Sequence, residues 1–193
     1  ETRSFAVYGL EKLTLGDFHF QLGGRWEEQT LLYRNLGVNR PATGLSESAY
    51  SYSAAITWEK RDFLTMDRLA LGLVWSRTQR VPNATERYAF WNSAALGRFI
   101  IGGDVDGQEL KLEQATGIDV TLDAEWKRGA IHLSGFHYDF QNYIFLQELA
   151  RGPVLQRSVN YIERGATFFG WEAEIEAHLL KHEHQRLTLK LMG

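Results

Sequence analysis

The chain has 193 residues, of which 44% are hydrophobic and 13% aromatic, and its formal charge at pH 7 is -3. This composition excludes a disordered or collagen-like chain, and the lack of a cationic excess gives no electrostatic reason to expect nucleic acid as a partner. Because cysteine is absent, disulfides, thiolate metal sites and cysteine nucleophiles are excluded as well.

Every apolar stretch is interrupted by a charged or amide residue before it reaches about eighteen residues, which excludes a transmembrane helix but leaves a membrane β-barrel open. The chain begins directly in a strand-like pattern, without a basic segment or an apolar leader. It ends at residues 187–193, inside an alternating segment that has no turn. We therefore expect a chain that is truncated at both ends.

Alternation of apolar and polar side chains is the dominant pattern, and it is clearest in residues 117–127. There Ile118, Val120 and Leu122 fall on one face of a strand, whereas Asp119 and Thr121 fall on the other. Comparable segments predict about eight strands, which are in chain order 4–12, 18–26, 50–59, 68–76, 117–127, 131–142, 169–179 and 186–192. A change of phase near Gly135 predicts a β-bulge there.

The predicted connections alternate in length. Four are short, at residues 13–17, 60–67, 127–129 and 180–185, and three are long, at 27–48, 78–112 and 143–164. Short turns at one end and long loops at the other are typical of outer-membrane barrels, and about ten tilted residues span the ~25 Å apolar band. The sequence thus predicts an all-β, antiparallel, up-and-down transmembrane β-barrel.

Five tryptophans lie on the apolar faces of these strands, where two interfacial belts are expected. Trp58 and Trp126 are near the short turns, and Trp26, Trp75 and Trp171 lie toward the long connections. The alternative is aromatic packing inside a soluble sandwich or barrel, where aromatic residues also alternate.

A self-contained eight-stranded barrel is a second hypothesis, either a carrier of a small apolar ligand or a small outer-membrane protein. Gly24-Arg25-Trp26 matches the Gly-x-Trp element of lipocalins, which are barrels of similar size. Three residues are too few to establish a family, and a lipocalin has no place for a connection as long as 78–112.

Several segments of the second half resemble the barrel of TonB-dependent receptors. Arg80-Val81-Pro82 opens the connection 78–112 and Leu110-Lys111-Leu112-Glu113 closes it, while residues 136–144 and 169–174 resemble two further strands of that family. The resemblance is specific over residues 73–193 and general before them.

This resemblance implies that residues 1–193 are a C-terminal part of a barrel of about 22 strands in the bacterial outer membrane. The expected partners are membrane lipid, an extracellular small ligand, and the TonB complex acting through an N-terminal plug that is absent from these residues. The implied function is uptake of a scarce ligand such as a metal chelate, siderophore or haem, with no enzyme activity and no cofactor.

Within the family the chain looks closest to the branch associated with metal or haem acquisition. That branch usually carries a Gly-x-His element after the Tyr-Ala pair, whereas this chain has Phe90-Trp91-Asn92-Ser93-Ala94 there. A histidine ligand is missing at this place, which argues against zinc as cargo.

Three groups of polar residues could suggest metal or acid-base chemistry. His178, His182 and His184 straddle a predicted turn, and we expect them to be solvated rather than to bind a metal. Asp104-Val105-Asp106-Gly107 resembles the start of a calcium loop, but Ala115 stands where the completing glutamate is required. Glu172, Glu174 and Glu176 share one strand face, and nothing separates their environments as acid-base catalysis would need.

The connection 78–112 is the predicted place of ligand recognition, because loops on a rigid scaffold commonly carry binding. Asn83 and Glu86 form a capping box that predicts a short helix after Pro82. On or just after this helix the candidate ligand-binding residues are Arg87, Tyr88, Phe90, Trp91 and Asn92. They combine cationic, aromatic and amide groups, as many binding surfaces do, although packing of the loop itself would also account for them.

Overall fold

A computed structural model describes residues 1–33, 43–93, 98–148, 158–182 and 185–193. These residues form ten β-strands and one short helix. Eight of the strands form one large sheet, which we call the wall: β1 (Thr2–Leu15), β2 (Phe18–Tyr33), β3 (Thr43–Phe63), β4 (Met66–Arg80), β7 (Glu113–Trp126), β8 (Gly129–Glu148), β9 (Ser158–His182) and β10 (Gln185–Met192). The other elements, α1 (Ala84–Tyr88), β5 (Phe90–Ser93) and β6 (Arg98–Ile101), lie in residues 81–112, which we call the excursion.

The wall is an antiparallel sheet in the order β1-β2-β3-β4-β7-β8-β9-β10. Tight turns join its strands at one end. Gly16, between β1 and β2, has φ +60°, a left-handed conformation that glycine adopts without steric penalty. Among the described residues β1 pairs with β2 alone, so the sheet is open at that edge. The all-β, antiparallel prediction is confirmed, and the eight predicted strands are the eight strands of the wall.

The observed strands are longer than the predicted ones. Residues 27–33 of β2 pair with the start of β3, and Tyr143–Glu148 of β8 pairs with the start of β9, although the sequence predicted connections in both places. The alternation fades for a different reason in each place. Glu27 and Glu28 put polar side chains on both faces of β2, whereas Ile144 and Phe145 put apolar side chains on both faces of β8. Cross-strand hydrogen bonds continue all the same, since they involve the backbone and not the side chains.

The bulge predicted near Gly135 is wrong in position. Gly135 pairs regularly with Val120 and Trp171, and the register of β8 against β9 shifts between Phe140 and Tyr143 instead. Asn142, inside that shift, has φ +56°. The phase changes in the sequence because β8 places aromatic residues on the polar face of the wall, and not because the strand slips.

The wall has two chemically different faces. Leu73 and Val120 are direct cross-strand partners on one face, and Gly72 and Thr121 are partners on the other. We call these the outer and inner faces, the inner face being the one to which the excursion bonds. Large apolar side chains exposed on the outer face include Leu22, Leu71, Ile118, Phe169 and Trp171.

A buried apolar cluster joins the excursion to the start of β9. Ala89, Ile100 and Val159 are buried together, with Tyr161 packed against them. The large apolar side chains of the outer face are exposed, so that face depends on its surroundings to cover them. In the described part of the chain, no helix is long and apolar enough to cross a bilayer.

Candidate ligand-capture site

The helix α1 begins where the sequence predicts it. Asn83 Oδ1 accepts hydrogen bonds from the backbone N–H groups of Thr85 and Glu86, each at 2.9 Å. In return Glu86 Oε2 accepts from the Asn83 N–H at 2.8 Å. This completes the capping box and satisfies N–H groups that a helix start leaves without partners.

Arg87, on α1, is buried and holds the excursion against the wall. Its side chain is 1% exposed, and its Nη2 donates to a carboxylate oxygen of Glu47 on the inner face of β3. Its Nη1 donates to the carbonyl oxygen of Leu110 at 2.8 Å and to Asp104 at 3.2 Å. Two carboxylates and a carbonyl compensate for the burial of this cation.

The Asp104–Gly107 segment is a turn whose carboxylates already have protein partners. Asp104 Oδ1 accepts from the Leu110 N–H at 3.0 Å, and Asp106 Oδ2 accepts from Asn160 Nδ2 at 2.9 Å. Gly107 has φ +82°, which allows the tight reversal. The bond between Asp106 and Asn160 thus ties the excursion to β9, as Arg87 ties it to β3.

No group of three or more His, Cys, Asp or Glu side chains suited to a metal ion occurs within the described residues. His178 lies beside Thr188, with 3.4 Å between Nδ1 and Oγ1. The side chain of His182 and all of His184 fall outside the described residues.

The hairpin β5–β6 was not predicted from the sequence. Phe90 pairs with Ile101 across the hairpin, and β6 adds to the edge of β9 in parallel through Phe99–Ser158 and Ile101–Asn160. The β-branched pair Ile100-Ile101 after Phe99 is the feature that could have indicated a strand. The alternation is too short there to be recognised.

Charged groups at the base of the excursion join it to the ends of β4 and β7. Arg80 donates to Glu86 at 2.8 Å and to Glu113 at 3.1 Å. Burial tends to lower the pKa of Arg80, but the hydrogen bonds that Arg80 donates to Glu113 and Glu86 outweigh burial, and the pKa is raised. Burial, followed by the charge of Glu86, raises the pKa of Tyr161 in the neighbouring apolar cluster.

The five candidate ligand-binding residues divide into two groups. Arg87 is buried and bonded to the protein, whereas Phe90 and Trp91 are 54% and 43% exposed on β5. Asn92 is exposed on the same strand and Tyr88 is half-buried. Phe90 packs edge-on against Phe99, with ring centroids 4.9 Å apart. Exposed aromatic groups thus lie on the strand that directly follows the helix anchored by Arg87.

The five predicted interface tryptophans all lie on the outer face, as the register of their strands shows. Trp126 is the last residue of β7, next to a tight turn. Trp58 packs edge-on against Phe63 near another turn, with 5.8 Å between ring centroids. Trp75 and Trp171 lie further inside their strands, and Trp26 lies opposite Tyr50. Their place at membrane interfaces stays a prediction.

Three solved structures share this fold. The copper transporter OprC superposes with a TM-score of 0.76 at 15% identity, covering 93% of this chain and 26% of its own. A double mutant of the Serratia marcescens hemophore receptor HasR, in complex with its hemophore HasA and heme, has a TM-score of 0.70 at 13% identity. The match covers 91% of this chain and 32% of the receptor. The siderophore receptor PirA from Pseudomonas aeruginosa has a TM-score of 0.58 at 13% identity, and the match covers 99% of this chain and 43% of PirA.

The chain thus spans less than half the length of each of these proteins, and at this level of identity the likeness shows the fold alone. The family model described as "TonB dependent receptor-like, beta-barrel" matches residues 1–192. The chain therefore belongs to the TonB-dependent receptor family, as part of its β-barrel.

Proposed function

We propose that this chain is part of the wall of an outer-membrane receptor that takes up a scarce ligand, such as a metal chelate, a siderophore or haem. TonB-dependent receptors are outer-membrane proteins, and the three neighbours are named for copper, haem with its hemophore, and a siderophore. Energy would come from the TonB complex through a plug domain outside these residues. The family consists of receptors and transporters, which favours transport over catalysis.

The separation of the two faces is the observation that carries this proposal. Leu71, Leu73 and Trp75 expose apolar side chains in a row on the outer face of β4. On the inner face of the wall Arg68 of β4 pairs with Glu59 of β3 at 3.1 Å, and Asp123 of β7 faces His132 of β8. A wall that is apolar outside and polar inside suits lipid on one side and a plug or water on the other.

The excursion is the proposed place of ligand capture. It lies beyond the apolar rows, it is held to β3 by Arg87 and to β9 by Asp106, and it presents Phe90 and Trp91 to solvent. Rigid support lowers the entropy lost when a ligand is bound. Tyr88 and Asn92 complete the proposed surface, and Arg87 supports it from below.

A self-contained eight-stranded barrel is not favoured. In the described part of the chain β1 and β10 do not pair with each other, as closure of a small barrel would require. The family match over residues 1–192 also assigns the chain to a barrel of a different kind.

Uptake measured in cells tests the proposal. A strain that lacks the gene of the full-length receptor is compared with a complemented strain, using labelled ferric siderophores, haem and a copper salt, each with and without TonB. We expect accumulation of one class to require both the receptor and TonB. Accumulation of every probe at the same rate in both strains would contradict the proposal.

A further inference from the structure

A recess opens on the inner face of β1–β4, close to the start of the excursion. It has a volume of about 280 Å³. The side chains around it are Tyr8, Leu10, Arg25, Ser51, Ser53 and Thr78. These residues are cross-strand neighbours, because Tyr8 pairs with Arg25 and Arg25 with Ser51. Thr78 lies near the end of β4, so the recess is at the same end of the wall as the ligand-capture surface.

Glycine makes the recess possible. Gly23 lies between Leu10 and Ser53 on the inner face, and a Cβ added there would come within 3.0 Å of Ser53 Oγ and 3.5 Å of Leu10. Gly24, the next residue, would direct a Cβ to the outer face, where no atom lies within 4 Å. The recess therefore depends on Gly23 and not on Gly24.

The recess is lined by a cation and hydroxyl groups on one hand and by apolar side chains on the other. Arg25 bonds to Glu27 through Nη2 at 2.7 Å, which engages only part of a guanidinium that carries five N–H donors. Ser51, Ser53 and Thr78 supply hydroxyl groups. Tyr8 and Leu10 supply an apolar wall that is still 78% and 55% exposed. A guanidinium with hydroxyls beside it suits a carboxylate, and an exposed ring suits a flat apolar group.

We propose that this recess is a binding subsite for a carboxylate carried on an aromatic or apolar body, such as one arm of a larger organic ligand. Its volume is at the lower end of ligand pockets, which limits the occupant to about one ring with its carboxylate. The carboxylate contacts Arg25 and the hydroxyls, and the ring lies against Tyr8 and Leu10. The proposal rests on the proposed function only in taking the inner face as the wall of the lumen.

The recess favours an organic anion over a neutral sugar because it combines one cation with apolar groups. Hydroxyl groups alone would serve a sugar equally well. A side chain of the plug is the other possible occupant, and it would compete with a small ligand for the same space. Binding experiments on the full-length receptor distinguish the proposed carboxylate from a sugar and from a side chain of the plug.

Benzoate is a suitable probe, with benzyl alcohol as the uncharged analogue and acetate as the analogue without a ring. Binding is measured by saturation-transfer NMR on the full-length receptor in lipid nanodiscs. The matched variants are Gly23→Val, which fills the recess, and Gly24→Val, which adds the same side chain on the outer face. Arg25→Gln removes the cation and keeps a hydrogen-bonding group.

We expect benzoate to bind the parent receptor and Gly24→Val alike, and Gly23→Val to lose at least about tenfold in affinity. Arg25→Gln should lose about tenfold for benzoate, the size expected for one charge-assisted hydrogen bond, with little change for benzyl alcohol. No binding to the parent receptor, or equal binding by both valine variants, would overturn the proposal. Since this assay needs neither TonB nor uptake, its failure is distinct from failure of the proposed function.

Discussion

Arg87 and Glu47 form an ion pair that joins the helix of the excursion to the inner face of β3, although 40 residues separate them in the sequence. Asp104 and the carbonyl of Leu110 share the same guanidinium. One buried cation thus connects the wall, the helix and the return path of the excursion.

Arg87→Ala should loosen the excursion while the strands of the wall stay folded. Removing one member of a buried ion pair costs about 3–5 kcal/mol, because Glu47 and Asp104 keep their charges without a counterion. We expect faster cleavage of residues 81–112 by added protease, with heat-modifiable gel mobility retained. Arg98→Ala is the matched control, since Arg98 is partly exposed and lies 3.8 Å from Glu148. Equal cleavage rates in the two variants would show that Arg87 does not hold the excursion.

Tyr88 and Trp91 should contribute to ligand capture if the excursion recognises the cargo. Replacing both by alanine removes aromatic surface that such sites use for binding. We expect weaker whole-cell ligand binding by the full-length receptor, at unchanged surface expression. A control with Trp26 and Tyr50 both replaced removes the same residue types from the outer face, where the two are cross-strand partners. Unchanged binding by an assembled Tyr88/Trp91 variant would exclude this surface.

Gly117 and Gly135 should respond in opposite ways to alanine. A Cβ at Gly117 would overlap the ring of Tyr138, whose hydroxyl donates to Asp119 at 2.7 Å, whereas a Cβ at Gly135 has no atom nearer than 3.8 Å. We expect Gly117→Ala to lower the free energy of unfolding by about 1–3 kcal/mol, as overpacking does. Gly135→Ala should be neutral or slightly stabilising. Urea titrations of the full-length receptor in liposomes provide the comparison.

The sequence predicted the wall well because each strand there meets two different environments. Ile118 and Asp119 alternate for that reason, and Asn83 with Glu86 marks a helix through purely local hydrogen bonds. The role of Arg87 could not be predicted, since its partner Glu47 comes from a distant strand. In the candidate site, a cation among aromatic residues suggested ligand contact, but burial against two carboxylates makes Arg87 a support for its exposed neighbours.

The bulge was predicted in the wrong place because β8 carries aromatic residues on its inner face, where the sequence pattern leads one to expect polar residues. Tyr138 covers Gly117 and Phe136 lies within 3.0 Å of a Cβ built at Gly170. Each ring fills space that a glycine on the neighbouring strand leaves open. Periodicity along one strand carries no information about the residue that lies opposite on the next.

An arginine scan of β7 tests most directly whether this chain is the wall of a membrane barrel. Leu122 lies on the outer face between Leu71 and Leu133, and Thr121 lies on the inner face between Gly72 and Ser134. The quantity to measure is the free energy of folding of the full-length receptor into liposomes, for Leu122→Arg and for Thr121→Arg. We expect a loss of about 2–4 kcal/mol for Leu122→Arg, as for a cation at the bilayer midplane, and a small change for Thr121→Arg. Equal tolerance of arginine at both positions would contradict the assignment of the outer face to lipid.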